Sequence, residues 1–338
     1  KFMMPNNYDF LMRYGFENKD EDLLKFVDLT LSKMAYGGLF DTIEGGFSRY
    51  SVDLKWHVPH FEKMLYDNGQ LLSLYANAYK RTQNPLYQEV IEKTISFLQN
   101  YLDNKKGGFF SALDADSLTE NNILEEGAFY VWKKSELQTL IKNDFELFSS
   151  VFNVNSFGHW EHGNYVLIQN KSLDEIAKTF HITTAELQQK KKVWEHILWV
   201  ERQKRKPPRL DDKCLTSWNA LALKGFVDSY KALDKPLYLA LALNSAKFIT
   251  EKLWSPEGNL WRSYKSGTAT INAFLEDYAC VIQSFIALFE VTFDEKWLYN
   301  AKQLMDYSLE HFFDSRHQLF TYTSNLDAAL VAKHYETE

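Results

Sequence analysis

Apolar positions recur at helical spacing over most of the chain. In residues 20–36, Leu23, Leu24, Val27, Leu31 and Met34 fall on one face, and Gly37-Gly38 stops the run. Pro59 suits the first position of a next helix, which the spacing carries to about Arg81. That reading puts His60, Met64, Asp67 and Leu71 on one stripe and Glu62, Tyr66 and Gly69 on its neighbour. Pro85 opens a further helix ending near Asp103. The middle is less regular, with short helices predicted over 134–142 and 144–152 and a turn plus extended segment over 156–168. Helices follow over 173–180 and 184–205, the second heavily charged and broken by Pro207-Pro208. Clean helices are predicted over 217–233, 235–254, 274–292 and 295–312. Residues 1–19 read as an irregular lead-in and 105–170 as a loop-rich insertion in a single domain over 1–338.

An internal repeat runs through this pattern. Asp67, Trp218 and Asp277 align, and eighteen residues on stand Pro85, Pro236 and Glu295. Twenty on are Tyr87, Tyr238 and Trp297, and forty-three on are Phe110, Trp261 and Phe320. Each unit is a helix, a short turn, a second helix and a loop with a large aromatic residue. The first helix of a unit is apolar nearly all round, as in the run from Tyr278 to Phe289. The second is amphipathic: Trp297, Leu298, Ala301, Leu304 and Met305 oppose Lys296, Asn300, Lys302 and Glu310. Helices buried on every side beside helices buried on one stripe predict two layers, an inner and an outer ring. The inner helices carry their polar residues at their starts, so parallel inner helices would gather acids, amides and aromatics at one end.

The formal charge of −7, from 38 Lys and Arg against 45 Asp and Glu, argues against nucleic acid or an anionic membrane as the main partner. The basic run 190–209 is interleaved with Glu195 and Glu201 and reads as a solvated helix face. Cys214 and Cys280 stand far apart with no zinc-ligand spacing, which points to a reducing compartment. With no leader pattern at 1–7 and no apolar run long enough to span a bilayer, the expectation is a cytoplasmic protein. No motif calls for a cofactor. His159, Glu161 and His162 have ligand chemistry, but GHWEHGN is not HExxH, and no metal is expected.

The stretch from Gly45 to Asn68, GGFSRYSVDLKWHVPHFEKMLYDN, mixes flat apolar side chains with charged and imidazole groups as a pocket wall does. Carboxylate candidates along the chain are Glu62, Asp67, Asp114, Asp116, Glu125, Glu126, Glu276 and Asp277. Glycoside hydrolysis needs a carboxylic acid to protonate the leaving oxygen and a second carboxylate as base or nucleophile. Asp116 and Asp277 would take those paired roles, with His60 and Glu62 beside them. Acids in a helix's first turn, such as Glu276 and Asp277, are also simply stabilised by the helix dipole. Epimerisation or isomerisation would instead use histidine, His60 first with His57 as its neighbour. Arg49 would clamp hydroxyls or a carboxylate. Trp56 and Trp218 would stack on a sugar, although aromatics at such positions more often pack a core. Asp67, Asp114, Glu126, Asn219 and Glu276 complete the expected binding set.

Taken together, PHFEKMLYDN, ALDADS, EEGAFYVW, HGNYVL, RLDDKCLTSWNALAL and LEDYA resemble the spermatogenesis-associated, YyaL-like family of thioredoxin-domain proteins. The resemblance implies an all-α fold, an (α/α)6 toroid of six-hairpin glycosidase type similar to N-acylglucosamine 2-epimerase. It also implies a thioredoxin-like module in the longer protein, and an end at Glu338 that leaves the ring shortened at its C-terminus. The function expected is a carbohydrate-active enzyme acting on a small saccharide by acid–base chemistry, either glycoside hydrolysis or epimerisation. The rival is a non-catalytic sugar-binding or scaffold module working with the thioredoxin-like domain.

Overall fold

A computed structural model describes residues 1–327 and 334–335, and the shortened end expected at Glu338 lies outside them. The helices, in chain order, are α1 (Pro5–Asn18), α2 (Glu21–Tyr36), α3 (Leu65–Thr82), α4 (Pro85–Phe97), α5 (Lys134–Ile141), α6 (Phe145–Phe152), α7 (Leu173–Thr179), α8 (Thr184–Arg202), α9 (Thr216–Leu233), α10 (Pro236–Phe248), α11 (Leu275–Thr292) and α12 (Lys296–His311). Short two- and three-stranded sheets accompany them. No helix among the described residues is long and apolar enough to cross a membrane. Packing divides the chain into two units. The first holds Lys1–Met64, Glu92–Phe97 and Leu113–Leu210, the second Leu65–Ile91, Leu98–Ala112 and Asp211–Glu338.

The second unit carries the repeat. The helices α3, α9 and α11 each begin two residues before the aligned positions Asp67, Trp218 and Asp277. Each is followed after a short turn by α4, α10 or α12. Two glycines let α3 and α9 approach closely. A Cβ on Gly69 would lie 2.7 Å from the Ala222 amide, and one on Gly225 would lie 2.6 Å from the Gly69 carbonyl. The inner helices bury Leu71, Leu72, Leu223, Phe226, Val281 and Phe285 almost completely, each contributing about 1.5–3 kcal/mol.

In the first unit, α2 starts at Asp20, whose carboxylate accepts the Leu23 amide at 3.0 Å. A capping box at Thr183 and Glu186 starts α8. Between them, α5, α6, α7 and α8 enclose a core of Leu137, Phe148, Val151, Phe152, Trp194 and Leu198. The later part of the segment expected to be loop-rich therefore carries helices that share one core with α7 and α8.

Three sequence readings need correction. Residues 1–19 are not an irregular lead-in, because Pro5–Asn18 is helical with Met12 and Gly15 buried. Its exposed Phe10, Tyr14 and Phe16 hid the apolar face. The helix expected from Pro59 starts only at Leu65. Pro59–His60 is a strand paired with Tyr50–Ser51, and the Glu62 carbonyl accepts the Arg49 amide at 2.8 Å. The stripe joining His60 to Asp67 does not form. Finally, the charged helix α8 is not solvated throughout, since Lys191 and Arg202 are buried.

Arg202 belongs to a buried ionic network. Its guanidinium contacts Asp41 at 2.7 Å and Glu44 at 3.1 Å, and the Lys63 ammonium contacts Asp41 at 2.9 Å and the Gly45 carbonyl at 2.8 Å. Side-chain exposure is 2% for Lys63 and Arg202, 5% for Glu44 and 8% for Asp41. Burial alone would push the Asp41 carboxyl up, but Arg202 and Lys63 outweigh it and hold Asp41 well below the usual carboxylate range. Removing one partner leaves an uncompensated buried charge. Asp41→Asn is therefore expected to lower unfolding stability by about 3–5 kcal/mol in denaturant titrations. The stabilisation from Asp41 is complete above the unfolded-chain value of about 3.9 and is lost as pH falls below it. The wild type should accordingly lose stability on acidification through that range, and Asp41→Asn should show a flatter pH dependence.

Candidate functional site

The first unit gathers several of the sequence candidates into one cluster. Strand pairing puts Tyr50 opposite His60, and their rings stack with centroids 4.8 Å apart. The hairpin between them is shaped by Asp53, whose carboxylate accepts the amides of Lys55, His57 and Val58 at 2.6, 3.2 and 2.9 Å. A second pair, Asp116–Leu118 with Leu124–Glu126, sets Asp116 directly opposite Glu126, so the two side chains share a face. Glu126 reaches back to His60, with its Oε1 2.7 Å from Nδ1. On the other side of the ring, Nε2 lies 3.7 Å from Glu62 Oε2, beyond hydrogen-bonding distance, and Glu62 is held by Arg49 Nη1 at 3.3 Å.

This is a histidine oriented through one nitrogen by a carboxylate. With Nδ1–H donated to Glu126, Nε2 is left as the ring's acceptor, facing Glu62. Side-chain exposure of 27% at His60 and 41% at Glu126 leaves the pair open to a ligand. Glu126 also lines an open cleft of about 1340 Å³ with Glu125, Lys133, Trp160, Asn164 and Arg205. Among the described residues no three His, Cys, Asp or Glu groups converge in a way that would hold a metal ion. His159 packs edge-on against Tyr165, with ring centroids 5.5 Å apart.

Other candidates have structural duties. Trp56 is 4% exposed at a φ of 62°, with the Lys1 ammonium 3.9 Å over its ring, so it is no open sugar platform. His57 gives its Nε2 to the Gly158 carbonyl at 3.2 Å, and burial pulls its pKa down. Asp114 pairs with exposed Arg209 at 2.9 Å.

In the second unit the starts of the inner helices do converge. The Tyr66 and Trp218 rings meet at 4.8 Å, and the Ser217 amide donates to Asp277 at 2.9 Å. Of the polar candidates there, Asp67, Asn219 and Asp277 are buried, while the Glu276 side chain is 43% exposed. Asn219 is fully buried, its amide group bonded to both the Phe109 amide and carbonyl at 2.7 and 3.0 Å. Asp67 is buried too. Asp277 is 0% exposed, with Oδ2 accepting the Phe274 amide at 2.9 Å and meeting Arg262 at 3.1 Å. Arg262 also binds Glu276 at 2.6 Å. Burial raises the Asp277 carboxyl, and Arg262 with the two amides only partly offsets this. Asp277 is a cap shared by α9 and α11.

Tyr50, Trp160 and Arg205 stand outside the site residues expected from sequence. Tyr50 had a signal in its place ten residues before His60 across a hairpin-length loop, but the helix assigned from Pro59 masked it. Arg205 was absorbed into a charge run.

Comparison with known proteins bears on the fold and the family. No family model matches the chain. An uncharacterised Caenorhabditis elegans protein is 35% identical over 336 residues, covering 90% of this chain and 46% of that protein. Mouse spermatogenesis-associated protein 20 is 32% identical over 349 residues, covering 94% of this chain and 44% of that protein. The chain thus spans just under half the length of these curated relatives. Among solved structures, a family 76 glycoside hydrolase (mannosidase) from Bacteroides thetaiotaomicron superposes with a TM-score of 0.54 at 12% identity, over 96% of this chain and 63% of that one. That likeness shows the fold, the all-α six-hairpin (α/α)6 class expected from the motifs.

Because Asp277 satisfies two helix starts and a guanidinium, Asp277→Ala is expected to cost about 3 kcal/mol. Thermal and denaturant melts check this. A variant as stable as wild type would contradict the capping role.

Proposed function

We propose that this chain, which belongs to the spermatogenesis-associated protein 20 family along the span it matches, binds a saccharide in the cleft of its first unit and acts on it by acid–base chemistry at His60. The observation that carries this reading is the 2.7 Å contact between His60 Nδ1 and Glu126, the same carboxylate that lines the cleft. In this reading His60 Nε2 is the proton acceptor and donor, Glu126 orients the ring, and Glu62 with Arg49 faces the other nitrogen. Asp116, opposite Glu126, supplies a further carboxylate on the same face. Trp160 offers an aromatic surface for a sugar ring, and Asn164 offers amide donors and acceptors. That the solved neighbour is a mannosidase supports a saccharide as the ligand class. A histidine base suits proton removal beside a carbonyl, so epimerisation or isomerisation is favoured over hydrolysis by Asp116 with Asp277, since Asp277 is buried.

A second reading, a saccharide-binding or scaffold module without turnover, is favoured by that same burial of Asp277. It would act with the thioredoxin-like module that the motif resemblance implies.

A panel of mono- and disaccharides, screened by thermal shift and by turnover, separates the two. Acid–base catalysis by His60 predicts that His60→Gln lowers turnover by about 10²–10⁴-fold while the melting temperature stays close to wild type. Undiminished turnover in His60→Gln would refute the assignment. Stabilisation by a saccharide without turnover would support the binding reading.

A further inference from the structure

We propose that Arg205 is a positioning residue that holds Glu126 in place against His60. The inference rests on the reading of His60 and Glu126 as the acid–base pair and names what keeps that pair aligned. Glu126 ends a strand and is followed by a tight turn. The Gly127 amide donates to the Ala115 carbonyl at 3.1 Å, and the Tyr130 and Val131 amides return to the Gly127 carbonyl at 2.8 and 3.0 Å. One side chain collects the outward carbonyls of this turn. Arg205 Nη1 donates to the carbonyls of Ala128, Phe129 and Val131 at 3.4, 3.0 and 2.7 Å, and Nη2 donates to Glu136 at 2.8 Å. The guanidinium lies 3.9 Å over the Trp132 ring and is 18% exposed.

The turn bears directly on the segment that carries His60. Gly127 has a φ of 73°, and a Cβ there would lie 2.5 Å from the ring of Phe61, the residue after His60. Phe61 is in turn packed against Tyr130 and Trp160 at 5.6 and 5.4 Å between centroids. Glu126 therefore meets His60 because its turn is pressed onto Phe61, and Arg205 is the cation that ties the far side of that turn to the end of α8. Lysine is no substitute. A single ammonium does not span three carbonyls and a carboxylate, and it does not stack on Trp132.

The test reads the histidine directly. In the wild type, the His60 ring Nδ1–H proton is followed by ¹⁵N–¹H NMR and assigned by its loss in His60→Gln. Arg205→Lys is expected to shift that resonance upfield or lose it to exchange. With a saccharide that the wild type turns over, the variant should lose about 10- to 100-fold in kcat with KM nearly unchanged. If Arg205→Lys fails to fold, Glu136→Gln loosens the same clamp from its exposed side and should move the resonance in the same direction. An unmoved resonance in a folded variant overturns the proposal, whatever happens to stability. If the resonance moves but no saccharide is turned over, the positioning role stands and the proposed reaction fails. If the wild type turns over a saccharide and the resonance in the variant stays in place, the reaction stands and Arg205 has no positioning role.

Discussion

Two anions and two cations removed from water together constrain the first unit. Taken singly, each of Asp41, Glu44, Lys63 and Arg202 would carry a desolvation cost of several kcal/mol. Together, at separations of 2.7 to 3.1 Å, they offset it, and they do so only if three distant stretches meet. Those stretches are the turn 41–45, the segment around Lys63 and the end of α8. The Lys63 ammonium is further enclosed by the Phe97 and Tyr130 rings, each 4.7 Å away. Removing any one partner of such a network leaves an uncompensated buried charge.

The position of the network ties it to the candidate site. Lys63 follows directly on Phe61 and Glu62, so anchoring its ammonium also anchors the strand that presents His60. Arg202 donates to the Tyr130 carbonyl at 3.3 Å, in the turn that follows Glu126. The two halves of the His60–Glu126 pair are thus each one short step from the same buried charges. An open, polar pair on short strands would otherwise have little to hold it, since strand pairs of two and three residues contribute few ladder bonds.

The helical architecture was legible in the chain because each hairpin repeats its own pattern. The alignment of Asp67, Trp218 and Asp277 reproduces the starts of α3, α9 and α11, and the convergence of those starts followed from it. What the pattern does not carry is whether a polar residue at a helix start faces solvent or seals a neighbour. Asp277 and Asn219 look alike in sequence to ligand-binding groups, yet each is consumed by backbone amides and carbonyls from other segments. The candidate site is legible in composition and not in geometry. His60, Glu62, Arg49, Asp116 and Glu126 were all singled out, but Pro59 reads equally well as a helix start or a strand residue, and the wrong choice separated His60 from Tyr50. Arg202 and Arg205 were hidden because a buried charge and a solvated one have the same letter, and only the partners, far away in sequence, distinguish them.

If the chemistry of this protein sits at a histidine in the first unit, Asp277 belongs to the scaffold. The most direct measurement is a crystal structure with a saccharide that raises the melting temperature bound to the wild type. The expected result is ordered sugar in the cleft beside Glu126 and Trp160, with a ring hydroxyl or ring carbon within reach of His60 Nε2. Sugar bound instead against Trp218, Glu276 and an opened Asp277 would contradict it.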